Sequence, residues 1–248
     1  MAIIEVKSVT KEYQEGFLAL RDLTFSVEEG DFVSIVGPFG CGKSTLLELI
    51  SGLISDYEGT IKIKGENPEE ARLERRIGYT FQRSTLLPWR NIIQNIMLPL
   101  EIAQIKDNKR AYSLLEMVGL SYLAKKAPYE LSGGMQQLIS IVRSLVLNPD
   151  ILLLDEPFSS IDEINRTKMH LHLLRIHQQT NKTTLLVTHS LSEAVFLSER
   201  IIVMTSSPGR TKRIIDVNLS IRNEEILFSE EFLNYIKIIR EELKNGKK

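Results

Sequence analysis

The chain has 248 residues, a formal net charge of −1 and 43% hydrophobic residues, enough for one large domain or for one domain with an insertion. The near-neutral balance excludes the global basic field that nucleic-acid binders carry, so no nucleic acid is expected as a partner. The single cysteine excludes an internal disulfide, and no Cys/His cluster has zinc spacing.

The first residues, Met1 to Lys7, show no signal-peptide pattern. No run approaches the roughly 18–20 apolar residues that cross a bilayer. The expectation is a soluble, cytosolic protein that reaches a membrane only through a partner. Residues 2–7 and 20–27 alternate apolar with polar, which predicts two half-buried strands, paired antiparallel, with a turn at Glu28-Glu29-Gly30-Asp31. Tyr13 falls in the connection before the second strand. It reads either as an ordinary half-buried aromatic or as a platform on which an adenine ring stacks.

The apolar run Phe32–Val36 leads into Gly37-Pro38-Phe39-Gly40-Cys41-Gly42-Lys43-Ser44-Thr45 and then into Leu46–Ile50. Strand, G-x-x-x-x-G-K-S-T and helix make the order of a P-loop. Its glycines let backbone N–H groups cradle phosphate oxygens, and the helix N-terminus adds partial positive charge. Lys43 is then placed to reach the β- and γ-phosphates, and the Ser44 hydroxyl to ligate Mg²⁺. Cys41 reads as a small loop residue without chemistry of its own.

Strands are predicted at 60–65 and 75–82. From 86 to 148 the pattern turns helical, with periods over 92–105, 107–118 and 134–147, and reads as an all-helical insertion. The only tryptophan, Trp89, stands at its start beside two turn formers. Ile151-Leu152-Leu153-Leu154 is a continuous apolar run closed by Asp155 and Glu156, as in a central parallel strand whose C-terminal end faces a ligand. Beside a P-loop, one carboxylate suits Mg²⁺ and the other a water. A helix over 161–180, a strand over 183–189 ending in His189, a helix over 191–197 and strands at 200–204 and 213–217 follow, with a turn at 206–210. His170, His172 and His177 lie in one helix but on different faces, and read as solvated or packed. Phe228, Phe232, Tyr235, Ile236, Ile239 and Leu243 mark an amphipathic tail helix that packs on its own domain.

Leu131-Ser132-Gly133-Gly134-Met135-Gln136-Gln137 resembles the signature motif of ABC-type ATPases. A serine and two glycines at a helix start form a second phosphate-binding N-terminus. The resemblance implies that Ser132, Gly133 and Gly134 cover an ATP held by another subunit's P-loop. It implies adenine stacking by Tyr13, and γ-phosphate and Mg²⁺ sensing by Gln82, which links core and helical segment. It also implies Mg²⁺ at Asp155, catalysis by Glu156 and a γ-phosphate contact from His189. Ser159-Ser160-Ile161-Asp162 resembles the loop that crosses the dimer. The implied fold is α/β: a P-loop NTPase core with a mixed, mostly parallel sheet, an N-terminal antiparallel β subdomain and an inserted α-helical subdomain. The ATPase domain is expected over 1–220, the insertion at about 86–148 and the helical tail over 221–248.

Residues 81–90, Asp155-Glu156-Pro157-Phe158 and Ser206-Ser207-Pro208-Gly209-Arg210 resemble importer ATPases of the nitrate/sulfonate/taurine type. This implies ATP and Mg²⁺ as cofactors and a second ATPase subunit. It further implies a transmembrane permease docked near Trp89, a solute-binding protein acting indirectly, and a place on the cytoplasmic face of the membrane. The alternative, a soluble ABC ATPase acting on nucleic acid or the ribosome, usually has two cassettes or a long coiled-coil insertion. Leu138 stands where the family usually has a basic residue, which implies a lost charge partner beside the dimer interface. Ser160 and Ile161 replace the usual Ala-Leu.

Overall fold

The structure, a computed structural model, describes residues 2–159, 161–219 and 221–244. β1 (Ala2–Tyr13) and β2 (Phe17–Glu28) pair antiparallel, and β4 (Glu58–Ile63) joins the free edge of β1. Both β1 and β2 run further than their alternation predicts. Tyr13 is therefore not in the connection but is the last residue of β1, directly opposite Phe17.

The second sheet has the order β5-β6-β7-β3-β8-β9. β3 (Phe32–Val36), β5 (Ile77–Thr80), β6 (Ile151–Asp155), β7 (Thr183–Thr188) and β8 (Arg200–Met204) are parallel, and β9 (Thr211–Asp216) closes one edge antiparallel. Every residue of β3, β6 and β7 is buried. That is why these stretches read as unbroken apolar runs: both faces of the sheet are covered. Successive residues feed opposite cores. Ile151 and Leu153 pack with α1 (Lys43–Ile50) and the small sheet, while Leu152 and Leu154 pack with the helices of the other face.

Helices stop where local chemistry stops them. α2 (Pro68–Leu73), which the periodicity did not predict, starts at Asn67 with a capping box to Glu70 and Pro68 in its first turn. α3 (Ile92–Ile102), α4 (Asn108–Met117) and α5 (Gly133–Leu145) fill the helical segment. α6 (Glu163–Thr180) and α7 (Leu191–Leu197) flank the sheet. α8 (Glu230–Lys244) buries Phe232 and Ile239 in the core shared with α6 and α7. Phe228 departs from the predicted stripe: it ends a 3₁₀ turn, Glu224–Phe228, and is 85% exposed. Ser160, Ser220 and residues 245–248 of the predicted tail lie outside the described residues.

The three α6 histidines have three different surroundings. His170 Nε2 lies 3.0 Å from Glu193 Oε1 of α7, and both side chains are buried. His177 packs edge-on against Phe32, with ring centroids 5.2 Å apart. His172 lines a surface concavity.

Candidate active site

β6, β7 and β3 are neighbours, so their C-terminal ends lie side by side. β3 opens into the loop at Gly37, β6 ends on Asp155, and β7 ends one residue before His189. β5, next to β6, ends two residues before Gln82. The sheet thus gathers Lys43, Gln82, Asp155, Glu156 and His189 at its carboxyl edge, where open α/β sheets bind ligands.

The loop Gly37–Gly42 ends in a left-handed turn. Gly42 has φ +93° and N-caps α1, and a Cβ there would stand 2.7 Å from Leu20 Cδ2 and 2.9 Å from the Ala19 carbonyl. Only glycine fits. No acidic residue sits in the first turn of α1, so its N-terminal partial charge is unopposed. Lys43 is buried, and its ammonium curls under the loop to donate to the carbonyls of Gly37 (3.0 Å) and Pro38 (3.1 Å). Cys41 is fully buried, and burial pushes its thiol pKa up, away from nucleophilic use. Phe39 projects fully into solvent. A cleft of about 430 Å³ opens over Gly40–Thr45, with Phe17, Ala19, Gln82 and Glu156 on its walls.

Ser44 Oγ donates to Asp155 Oδ1 at 3.1 Å. Burial, with the Glu156 charge in support, holds the Asp155 carboxyl above the usual aspartate range. Two hard oxygen donors touching at the foot of a phosphate cradle fit a small divalent cation such as Mg²⁺. Glu156 adopts a left-handed backbone, φ +43°, fixed by its N–H donating to Val187 O at 2.9 Å. That turn aims its carboxylate back over the sheet edge. Glu156 Oε2 accepts from Gln82 Nε2 at 3.3 Å and lies 3.0 Å from His189 Nδ1, a contact that needs a proton on Nδ1. Tyr13 is just outside the cleft, its hydroxyl 3.4 Å from Thr45 Oγ1.

Ser132, Gly133 and Gly134 do not line this cleft. Ser132 N-caps α5, accepting from Met135 N–H at 3.3 Å, and the three residues face a separate concavity with Asp162 and Lys168. α5 also grips the loop after β5. Gln137 Nε2 donates to Phe81 O at 2.7 Å and Arg143 to Thr85 O at 2.9 Å, so the stretch around Gln82 is tied to the helical segment.

The ABC transporter family pattern matches residues 20–159. The chain belongs to the ABC transporter family. It is 39% identical over 222 residues to the aliphatic sulfonates import ATP-binding protein SsuB of Bacillus thuringiensis subsp. konkukian, covering 88% of this chain and 87% of that one. It is 40% identical over 210 residues to the taurine import ATP-binding protein TauB of Escherichia coli, covering 84% and 82%. A dimeric ATP-binding cassette solved in a post-hydrolysis state with ADP and Pi matches with a TM-score of 0.75 and 33% identity, over 87% of this chain and 99% of that one. As an ABC ATPase, the protein binds ATP and hydrolyses it to ADP and phosphate.

Two details of this ABC ATPase were not legible in its sequence. Leu138 is fully buried in the main core, so an apolar side chain packs at this position. Phe17 lines the cleft beside Tyr13, their rings 27° from parallel and 6.5 Å apart, although no motif marked it. The signal lay in strand register: the residue opposite Tyr13 across a hairpin shares its face. Among the described residues, no helix is long and apolar enough to cross a membrane. Trp89 is 77% exposed, on a loop braced by buried Asn95, which accepts from Leu87 N–H and donates to the carbonyls of Leu87, Arg90 and Asn91.

Proposed function

We propose that the protein is the ATP-hydrolysing subunit of an ABC importer, in which two copies close head-to-tail around two ATP molecules. The observation that carries this reading is the separation of the two phosphate-binding motifs. Lys43 and Glu156 border one cleft, while Ser132-Gly133-Gly134 faces elsewhere. A single chain therefore holds two unlike half-sites, and a second copy completes each.

In that assembly the Gly37–Thr45 loop cradles the phosphates and Tyr13 and Phe17 receive the base. Lys43 leaves its carbonyl partners for the β- and γ-phosphates, the stronger, charge-assisted acceptors. Ser44, Asp155 and Gln82 would hold Mg²⁺, which would supply positive charge to offset that of the phosphates. Glu156 orients and deprotonates the attacking water, while His189 and the other copy's signature serine offset charge on the γ-phosphoryl group. Gln82, tied through its loop to α5, couples nucleotide state to the position of the helical segment. The ATPase unit runs over 1–220 with its insertion at about 86–148, and 221–248 is an appended tail that carries α8.

The importer reading is supported by the likeness to SsuB and TauB. The solute is a small organic anion of the sulfonate or taurine class, or alternatively nitrate or a thiamine precursor. A membrane permease docks by the braced Trp89 loop and places the subunit on the cytoplasmic face, with an extracytoplasmic solute-binding protein acting through it. Mixing two inactive variants, Lys43→Ala and Ser132→Arg, tests the composite site. Each mixed dimer retains one intact site, so phosphate release should reappear on mixing. A mixture as inactive as its components would overturn the head-to-tail dimer.

A further inference from the structure

The turn joining β8 to β9, Ser206-Ser207-Pro208-Gly209-Arg210, has no part in the chemistry above, yet it touches both halves of the nucleotide cleft. The Gly209 N–H donates to Ala19 O at 2.9 Å, and its carbonyl accepts from Arg21 N–H at 3.0 Å. These two bonds tie the turn to β2, the strand that carries Phe17 and Ala19 on the cleft wall. On its other side the turn lies against the phosphate loop. A Cβ on Gly209 would stand 2.1 Å from the carbonyl oxygen of Cys41 and 2.7 Å from Met204 Cε. The methionine methyl can rotate away, but a backbone carbonyl inside the phosphate loop cannot.

The turn is internally stiff. Thr205 N–H donates to Arg210 O at 3.0 Å, and Thr205 Oγ1 accepts from Arg210 N–H at 3.0 Å while its hydroxyl faces Ser206 O (3.0 Å) and Pro208 O (3.2 Å). An added side chain at 209 is therefore not absorbed within the turn. It drives the turn, and β2 with it, away from the phosphate loop.

We propose that Gly209 is a positioning residue that sets the spacing between the phosphate cradle and the aromatic wall of Tyr13 and Phe17. A nucleotide engages both at once, so its affinity depends on that spacing. A phosphate group alone engages only the cradle and does not sense it. The inference rests on the Lys43 cleft being the nucleotide site. Losing a contact worth about 1.4 kcal/mol raises a dissociation constant about tenfold.

The test is calorimetric titration of the full chain with ADP and, separately, with inorganic pyrophosphate. The variants are Gly209→Ala and, as a gentler change that keeps the glycine, Thr205→Val. The dissociation constant for ADP should rise about tenfold or more in Gly209→Ala, while that for pyrophosphate stays within about threefold. Thr205→Val should move the ratio of the two constants the same way by a smaller factor. KM for ATP should rise while kcat at saturation is largely kept. Equal weakening of both ligands would mean general damage to the loop and would overturn the proposal, as would no change in either. If Gly209→Ala does not fold, an unchanged ratio in Thr205→Val overturns it. Folded wild-type protein that binds pyrophosphate but not ADP would instead overturn the nucleotide reading of the cleft, and this inference with it.

Discussion

Replacing Glu156 with glutamine isolates the charge of one carboxylate. The side chain keeps its shape, and its amide oxygen can still accept from Gln82 and His189, whose donors lie 3.3 and 3.0 Å away. The left-handed backbone at φ +43° treats glutamate and glutamine alike, so folding should be little affected. What is lost is a proton acceptor for the attacking water. General-base catalysis contributes about 10²–10⁴-fold, which at 1.36 kcal/mol per decade is about 2.7–5.4 kcal/mol of barrier. Removing a negative charge beside the γ-phosphate does not weaken ATP binding. The expected result is phosphate release slowed by about 100-fold or more, with ATP affinity retained. The protein should also elute as an ATP-bound dimer in size-exclusion chromatography. A stopped assay at saturating ATP and Mg²⁺ measures the rate. Turnover within about threefold of wild type would remove Glu156 from the role of base.

Three further outcomes are expected. Ile239→Ala empties a fully buried site under α8 and should cost about 2–5 kcal/mol in urea unfolding, whereas Leu233→Ala, on the exposed face, should cost under about 0.5; equal costs would refute the packing of the tail. Burial holds the His177 and His172 imidazoles below the ordinary histidine value of 6.5, so the unfolded chain takes up protons first. The stability that neutral imidazoles contribute is full above 6.5 and is lost as pH falls through the depressed values, and His177→Asn should flatten that slope in denaturation midpoints; an unchanged slope would exclude His177. Trp89→Ala should leave the ATPase of the isolated chain intact but abolish co-purification with a multi-span membrane protein, and undiminished capture would move the docking site elsewhere.

Local sequence carried most of the chemistry because each motif is a short physical device. A phosphate cradle needs its glycines, lysine and serine in one stretch, and Gly37–Thr45 has them. A buried parallel strand must be apolar on both faces, so β6 announced itself and so did the acids at its end. A helix N-terminus with free N–H groups is made by consecutive residues, and Ser132–Gly134 open α5 in that way. Strand lengths and the tail stripe were less legible. β1 extends to Tyr13 because β2 pairs with it there, and Phe228 leaves the stripe because the chain turns at Ser229 before α8 begins.

Other features exist only in the folded chain. The strand order β6-β7-β3 brings Asp155, His189 and Lys43 to one edge, and nothing local encodes which strands are neighbours. Phe17 faces the cleft through hairpin register, and Leu138 is a core residue through the rotation of α5. Gly209 matters through a carbonyl of Cys41, a residue far away in the chain. The sequence by itself determined which groups are suited to phosphate, since covalent neighbours supply each glycine-rich turn and strand end. Only the tertiary structure decided which of them share a cleft, because packing of the sheet sets those distances. It also placed Ser132-Gly133-Gly134 at a different concavity from the one over Gly40–Thr45.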